Sequence, residues 1–242
     1  MVTLGGAALA LHAAPAIASC APLRRWALGG LAGCGHPTKV ALTFDDGPDP
    51  ASTPAFLDVL SELDVRATFF VLGRMLAEAP ELGRRLVDEG HEVGVHGWDH
   101  LPVLVRSRRA VTTDLARARD EVVRVCGVAP TRWRPPYGIL STGSLVAARR
   151  LDLTPVLWTT WGRDWERRAT PASVRAQVSR HLAPGGTVLL HDSDCTSTPG
   201  SWRATLAALP DIVADIHASG LVSGPLRDHE KREPTAPGKS SE

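Results

Sequence analysis

The sequence predicts an α/β fold in which parallel strands, covered by helices, close into a single barrel. Short apolar segments alternate about six or seven times with amphipathic helical segments, a pattern typical of repeated βα units. The 242 residues are enough for one domain of barrel size, and no internal repeat or second domain is visible. In such barrels the chemistry lies at the carboxyl ends of the strands, so functional residues are expected there.

Strands and helices are assigned from apolar periodicity and from the residues that interrupt it. Residues 39–44 form a short, β-prone run that the Gly-Pro pair at 47–48 ends, because proline cannot continue a ladder. Residues 50–63 place apolar side chains on one helical face, with a Ser-Thr pair available as the N-cap. The same reasoning predicts strand 67–72 closed by Gly73, helix 75–89 stopped by Gly90, a glycine-rich strand at 92–97, and an amphipathic helix at 108–125.

The second half of the chain continues this alternation. Two adjacent prolines break a strand at 132–138, and Thr170 is a plausible cap for a helix at 171–182. The remaining predicted elements are helix 144–150, strand 153–160, strand 187–191 and helix 202–219.

The two ends of the chain differ from the predicted barrel, residues 38–226. Residues 1–37 form an N-terminal extension whose Ala-rich run at 2–18 is predicted as a helix resembling a signal or anchor segment. No Lys or Arg precedes that run, so a helix lying on the domain is the other interpretation. Residues 227–242 are polar and predicted to be disordered. A bacterial cell-envelope or secreted location is favoured over a cytoplasmic one, with membrane contact expected only through an anchor.

The overall charge excludes some classes of partner. The formal net charge is +1, so nucleic acid is not expected as a partner, and nothing indicates broad attraction to an anionic membrane. Four cysteines lie far apart without a CxxC pair, which argues against a structural zinc knuckle and against a dense disulfide framework. A monomer is expected.

Polar side chains follow several predicted strand ends. Asp45, His96, Arg134, Asp164 and His191 all fall at or just beyond such ends, which meet at one rim of the predicted barrel. Their convergence would place carboxylates, imidazoles and a guanidinium around one mouth.

Two histidines near the third strand have the spacing of metal ligands. If the backbone turns helically there, His96 and His100 project from one face and can share a cation. A carboxylate and two imidazoles suit a catalytic zinc or a related divalent metal such as cobalt. The same set suits Fe(II), so a non-haem iron oxygenase is an alternative. The oxygenase interpretation assigns no role to Asp45, Arg134 or His191.

Five short segments carry a resemblance to a known family. The sequence resembles the NodB-like polysaccharide deacetylases, carbohydrate esterase family four, over roughly residues 38–226. The resemblance implies a distorted (β/α)7-8 barrel, a NodB homology domain, and a metal-dependent hydrolase. Its substrate would be the N-acetylated sugars of a chitin- or peptidoglycan-like polysaccharide. In motif order the segments are TFDDGP at 43–48, HGWDH at 96–100, RPPYG at 134–138, Asp164-Trp165, and LLH at 189–191.

The resemblance also implies roles by motif position. Asp45 would be the general base, oriented by Arg134, and His191 would be the general acid, tuned by Asp164. Asp46, His96 and His100 would bind the divalent metal, zinc in preference to cobalt or another transition metal. The Tyr137 amide would donate to the oxyanion. Trp165 and Leu189 would line the acetyl pocket or groove.

Two positions depart from the family pattern. Gly97 stands where family members usually have Ser or Thr, so a loop hydrogen bond is expected to be missing. Trp161 stands where the fourth motif usually begins with Asp, which leaves the groove wall and the substrate open. Two alternatives therefore remain on the same fold: a glycan-binding barrel with impaired catalysis, and an O-acetyl esterase acting on a substrate such as acetylxylan.

Overall fold

The computed structural model describes residues 11–19 and 30–229, and its centre is a curled sheet of parallel strands. The strands are β1 (Lys39–Asp45), β2 (Thr68–Leu72), β3 (Glu92–Gly97), β4 (Arg132–Trp133), β5 (Thr154–Pro155), β6 (Thr160–Trp161), β7 (Thr187–His191) and β8 (Val222–Gly224). Their order is β5-β4-β3-β2-β1-β7-β6, with β8 attached to β1. The predicted α/β barrel class is confirmed, because each of these pairings is parallel.

Helices connect and cover these strands. They are α1 (Thr53–Glu62), α2 (Gly73–Glu78), α3 (Pro80–Asp88), α4 (Arg108–Cys126), α5 (Thr142–Arg150), α6 (Pro171–His181), α7 (Trp202–Ala218) and α8 (Leu226–His229). Strand β1 is buried along almost its whole length, as expected for a parallel strand covered on both faces. The ring of Phe44 in β1 lies 5.3 Å from Phe56 of α1 and 5.1 Å from Phe69 of β2, which ties the helix layer to the sheet.

The register of the central strands gathers polar residues at one rim. Asp45, the last residue of β1, lies in register with His191, the last residue of β7. Strand β3 ends at Gly97, one residue after His96. The carboxyl ends of β1, β7 and β3 therefore bring chemistry-bearing side chains to one rim of the sheet.

The predicted single helix at 75–89 is wrong. The structure has two helices, α2 and α3, separated at Ala79, whose φ of −133° and ψ of 61° are not helical. Pro80 follows directly, and a proline disfavours the helical conformation of the residue before it. The break was visible in the sequence as a proline inside the apolar pattern.

The predicted strand at 153–160 is also wrong in its middle. Its ends form β5 and β6, which pair with opposite edges of the sheet, β4 and β7. Between them, Val156 and Leu157 offer their carbonyl oxygens to the guanidinium of Arg134 instead of to a neighbouring strand. The strand predicted at 132–138 likewise keeps only two residues as β4 before a 3₁₀ turn at Pro136–Gly138. These interruptions distort the barrel.

The described N-terminal segment, residues 11–19, contacts the barrel. His12 Nε2 lies 3.1 Å from the Leu104 carbonyl oxygen, and Thr142 Oγ1 donates to the Leu11 carbonyl. Residues 1–10 and 20–29 of the predicted extension lie outside the described residues, so its role as a signal or anchor stays a prediction. No helix in the described part of the chain is long and apolar enough to cross a membrane.

The predicted start of the polar tail at Arg227 needs correction. Residues 227–229 belong to α8, where the Arg227 backbone N–H donates to Glu92 Oε2 over 2.8 Å and Leu226 is buried. Burial of Leu226 and the bonds of Arg227 order this turn. The rest of the tail, residues 230–242, lies outside the described residues, and the predicted domain limits otherwise stay a prediction.

Candidate active site

The sequence-predicted site residues converge at the carboxyl rim of the barrel. They surround a cavity of about 300 Å³. Asp46, Arg134 and Asp164 lie buried behind its wall. The predicted residues that line the cavity are Asp45, His96, His100, Tyr137, Trp165, Leu189 and His191, joined by Pro135, Gly138, Trp158, Trp161, Thr196 and Ser197.

Three side chains form a potential divalent-metal site. Asp46 Oδ1 lies 3.4 Å from His96 Nε2 and 3.6 Å from His100 Nε2, and the three candidate ligand atoms lie within 4.8 Å of one another. Asp46 reaches this position by leaving β1 with a φ of 81°, and His100 has a φ of 56°. Both values are uncommon for residues with side chains and are typical of functional sites.

The fit to a cation rests on an oxygen that the described residues do not satisfy. Asp46 Oδ1 is buried and accepts no hydrogen bond from them. A buried carboxylate oxygen without a donor costs about 1–3 kcal/mol or more, so a partner is expected. One carboxylate and two imidazoles are the ligands of a borderline divalent metal and leave coordination positions open.

The ionisation of these residues suits that interpretation. Burial opposes the charge on Asp46, but the facing imidazole of His96 and the nearby charges of His191 and His100 lower its pKa below the usual range. Burial lowers the pKa of His100 to about 4, aided by the charge of His96, so its imidazole is neutral near pH 7. Burial also opposes the charge on His96, yet the carboxylates of Asp45 and Asp46 raise its pKa, so a proton competes with a metal there.

A backbone contact orients the first histidine. His96 Nδ1 lies 2.8 Å from the carbonyl oxygen of Arg134, which leaves Nε2 facing Asp46. Such a contact fixes the ring and the tautomer of a metal-binding histidine. The ring of His100 packs 4.8 Å from the His96 ring and 4.6 Å from that of Tyr137.

Arg134 is fully buried and holds Asp45 in place. Its Nη1 donates both to Asp45 Oδ1 and to Thr43 Oγ1, each over 2.7 Å. Nε donates to the Val156 carbonyl and Nη2 to the Leu157 carbonyl. Burial lowers the pKa of Arg134, an effect that the Asp45 charge opposes. One oxygen of Asp45 is thus occupied, and the other, Oδ2, faces the cavity side 3.8 Å from the nearest imidazole nitrogen.

Buried Asp164 and half-buried His191 form a second pair across the cavity. Asp164 Oδ1 lies 3.0 Å from His191 Nδ1, while Oδ2 accepts from the His191 backbone N–H and from Thr205 Oγ1. Burial lowers the pKa of His191, but Asp164, helped by Asp46 and Asp45, raises it to about 10. The imidazole is therefore protonated near neutral pH, with Nε2 directed away from Asp164.

Aromatic side chains make the remaining wall. Trp165 lies edge-on to the His191 ring at 5.5 Å, Trp161 lies 5.4 Å from Trp165, and Trp158 lies 5.9 Å from Trp161. Tyr137 is 59% exposed and has a φ of 59°, so it stands at the mouth of the cavity. Leu189 is buried beneath this wall.

The two departures from the family pattern have structural counterparts. Gly97 has a φ of 110°, and a Cβ there would lie 3.2 Å from Asp114 Oδ2. That same oxygen accepts from the Trp98 backbone N–H over 3.0 Å, while Asp114 Oδ1 accepts from Arg106. Asp114 therefore fixes the metal loop, residues 97–99 between the two candidate metal-binding histidines. Trp161, the second departure, places an indole in the cavity wall.

Three contributors to the site were missed in the sequence. Thr196 Oγ1 donates to Asp46 Oδ2, and the Asp192 carboxylate accepts from Thr53 Oγ1 and the Gly47 N–H. Trp158 lines the cavity but was assigned only to a strand. Of these, Asp192 carried a signal, because it follows His191 at a strand end. Nothing in the local pattern distinguishes Thr196 from other loop threonines.

Comparisons with known proteins agree on one family. The model of the polysaccharide deacetylase family matches residues 32–156. A chitooligosaccharide deacetylase of Sinorhizobium fredii is 39% identical over 196 residues, covering 78% of this chain and 90% of that protein. The peptidoglycan-N-acetylglucosamine deacetylase PgdA of Listeria monocytogenes is 37% identical over 171 residues, covering 71% and 36%. Among solved structures, the Bc1960 peptidoglycan N-acetylglucosamine deacetylase superposes with a TM-score of 0.76 at 28% identity, covering 81% and 91%.

Proposed function

The chain belongs to the polysaccharide deacetylase family, and on that premise we propose that it is a metal-dependent hydrolase of N-acetylated glycans. It would release acetate from the N-acetylglucosamine units of a chitin- or peptidoglycan-like polymer. One observation carries the proposal: a potential metal site, a fixed carboxylate and a protonated imidazole share one cavity of about 300 Å³.

Asp46, His96 and His100 would hold the metal, and zinc is the proposed ion because two nitrogens and one oxygen suit it. A bound divalent metal supplies a Lewis acid that polarises the amide carbonyl and acidifies the attacking water toward a pKa of ~7. The chain's contribution at this point is geometry, since three side chains from the carboxyl ends of β1 and β3 are already gathered.

Asp45 would act as the general base. Its Oδ1 is held by Arg134, so Oδ2 is the oxygen available to accept a proton from the attacking water. The four donated hydrogen bonds of the buried Arg134 prevent the carboxylate from turning away. Precise placement of this kind lowers the entropic cost of reaching the transition state.

His191 would act as the general acid, because an amine leaves only once it is protonated. The Asp164 carboxylate keeps the imidazole protonated and fixes the ring through Nδ1, so Nε2 carries the proton to be delivered. The Tyr137 amide would stabilise the oxyanion, since the two preceding prolines fix the backbone that presents it.

The walls of the cavity support a sugar as the substrate. Trp158, Trp161 and Trp165 present indoles, whose apolar faces complement the C–H faces of pyranose rings. Leu189 would line the floor that receives the acetyl methyl group. The relatives act on chitooligosaccharides or on peptidoglycan N-acetylglucosamine, and a peptidoglycan substrate would place this chain at the cell envelope or outside the cell.

The test is acetate release from chitooligosaccharides, peptidoglycan and acetylxylan, with added Zn²⁺ or Co²⁺ and after chelation. Asp45→Asn is expected to lower kcat about 10²–10⁴-fold, the size of a general-base contribution. Asp58→Asn removes an exposed carboxylate from α1 and serves as the matched control, with activity unchanged.

Each result points to one reading. Activity that survives both chelation and Asp45→Asn contradicts the mechanism. Metal binding without acetate release from any substrate favours the impaired glycan-binding barrel. Release only from acetylxylan favours the O-acetyl esterase.

A further inference from the structure

We propose that Thr196 is a positioning residue that selects which oxygen of Asp46 faces the metal and thereby sets the affinity of the site. The inference rests on the proposed function only in taking Asp46, His96 and His100 as the metal ligands. Thr196 stands 150 positions after Asp46 and belongs to the loop that follows β7.

The two oxygens of Asp46 have different surroundings. Oδ1 faces His96 Nε2 and His100 Nε2 and accepts no hydrogen bond from the described residues. Oδ2 accepts a hydrogen bond of 2.5 Å from Thr196 Oγ1. One oxygen is therefore committed to the protein, and the other is left for a cation.

Without that bond the carboxylate is free to rotate. The terminal torsion of an aspartate is broad and roughly two-fold, so either oxygen, or both together, could turn toward the imidazoles. The hydroxyl of Thr196 restricts Asp46 to single-oxygen ligation. That restriction keeps coordination positions open for water and substrate, which a catalytic site requires.

The loop that carries Thr196 is itself fixed to the turn after β1. The Asp192 carboxylate accepts from Thr53 Oγ1 over 2.5 Å and from the Gly47 N–H over 3.3 Å. Ser52 Oγ donates to the Asp192 carbonyl over 2.5 Å. The approach at Gly47 is so close that a Cβ there would lie 2.1 Å from Asp192 Oδ2. Thr196 is thus held against the residue it orients.

Ser193, the next residue of the same loop, also holds the loop against the turn after β1. Ser193 Oγ donates to Asp49 Oδ2 over 3.0 Å and accepts from the Cys195 backbone N–H over 3.1 Å. The segment 192–196 therefore joins the turn 46–53 at several points. Because His191 directly precedes this segment, one loop couples the proposed proton donor to the metal-binding carboxylate.

The test measures Zn²⁺ affinity of the metal-free protein by competition with a chromophoric chelator, with no substrate present. Thr196→Val keeps the shape but removes the hydroxyl, and we expect Kd to rise about 10–100-fold, the usual effect of losing a partner of a metal ligand. Thr196→Ser keeps the hydroxyl and should bind within about threefold of the parent. Thr112→Val removes a hydroxyl that donates to the Arg108 carbonyl on α4, outside the cavity lining, and as the matched control should bind like the parent.

A second readout covers the risk that the valine variant folds poorly. The visible spectrum of the Co²⁺-loaded protein should change in Thr196→Ala and Thr196→Val but not in Thr196→Ser, because a second Asp46 oxygen would alter the coordination number. Equal Kd values for the parent and Thr196→Val, with only KM changed, would make Thr196 a substrate contact and overturn the inference. Failure of the parent to bind Zn²⁺ or Co²⁺ overturns the metal site and this inference together. Metal binding without acetate release removes the proposed function alone.

Discussion

His91 immediately precedes β3 and His96 lies near its other end. Both histidines are buried, yet His91 has one carboxylate near it, Glu89 Oε2 at 3.9 Å from Nε2, and His96 has two. His91 is 4% exposed, its Nδ1 accepts from the Ala67 backbone N–H, and its ring packs edge-on to Phe69 at 5.2 Å. His96 is 2% exposed and faces the carboxylates of Asp45 and Asp46. Burial lowers the pKa of His91 to about 4, whereas the two carboxylates raise the pKa of His96.

The difference teaches that burial alone does not separate a structural histidine from a functional one, whereas a buried carboxylate that faces the imidazole does. At the amino end of the strands, Glu92 Oε2 accepts from both Thr68 Oγ1 and the Arg227 backbone N–H, so the fold satisfies that oxygen. At the carboxyl rim, Asp46 keeps an oxygen for which the described residues supply no donor. Polar groups satisfied by the chain stabilise it, and groups that face one another across a cavity are available for chemistry.

The largest expected effect separates these two histidines directly. His96→Ala removes one of three proposed metal ligands and should weaken Zn²⁺ binding more than about 100-fold, beyond the usual loss of an indirect partner. His91→Ala should leave Kd within about twofold but lower the free energy of unfolding by about 1–3 kcal/mol, because the Ala67 N–H loses its acceptor. Metal titration and chemical denaturation of both variants test the contrast. Equal Zn²⁺ affinities in His96→Ala and His91→Ala would contradict the distinction between the two histidines.

The carboxyl rim was predictable because each of its residues follows a strand. Asp45, His96 and His191 end apolar β-prone runs, so parallel pairing alone brings them together. His91 falls at the other end of the same run as His96, away from that rim. Apolar periodicity and the positions of strand ends thus predict most of the fold and the location of the reacting groups.

What could not be predicted depends on contacts distant in sequence. The bond from Thr196 to Asp46 depends on how the loop after β7 folds back over the turn after β1. The break between β5 and β6 depends on a guanidinium that takes two strand carbonyls. The break at Ala79 was readable, since Pro80 follows it, but the apolar periodicity on both sides outweighed the proline.

A smaller effect is expected from the partner that keeps His191 charged. Burial alone would lower the pKa of His191, and Asp164 is the largest opposing influence, so Asp164→Asn should move this pKa down from about 10. Loss of activity should be about tenfold or more at pH 9 and slight near pH 6, because only the protonated imidazole can donate. The alkaline limb of the kcat profile and the His191 resonance in the metal-free protein report it.

The free energy of unfolding should also fall as pH rises and His191 loses its proton. The folded pKa of His191 lies above its ordinary value of 6.5, so its contribution to stability is fully present below about pH 6.5 and is lost as pH rises through about 10. The parent should therefore lose more unfolding free energy over that interval than Asp164→Asn. Thr205→Val, which removes another donor to Asp164, is the matched control and should keep the parent's alkaline limb. If Asp164→Asn left the alkaline limb of the kcat profile unchanged, Asp164 would not be the residue that keeps His191 protonated.

The smallest effect concerns the metal loop itself, and it runs against the family pattern. Restoring a hydroxyl with Gly97→Ser should not strengthen metal binding, because Asp114 already accepts from the Trp98 N–H and occupies the adjoining space. The positive φ of 110° adds strain, so the substitution should cost about 1–3 kcal/mol of unfolding free energy. Asp114→Ala alone should weaken Zn²⁺ binding by a few-fold at most through a looser loop. In the double variant Gly97→Ser/Asp114→Ala the serine has room, so the loss of unfolding free energy should be smaller than the sum of the two single losses. Strictly additive losses would mean that Asp114 does not occupy the space that a side chain at position 97 would need.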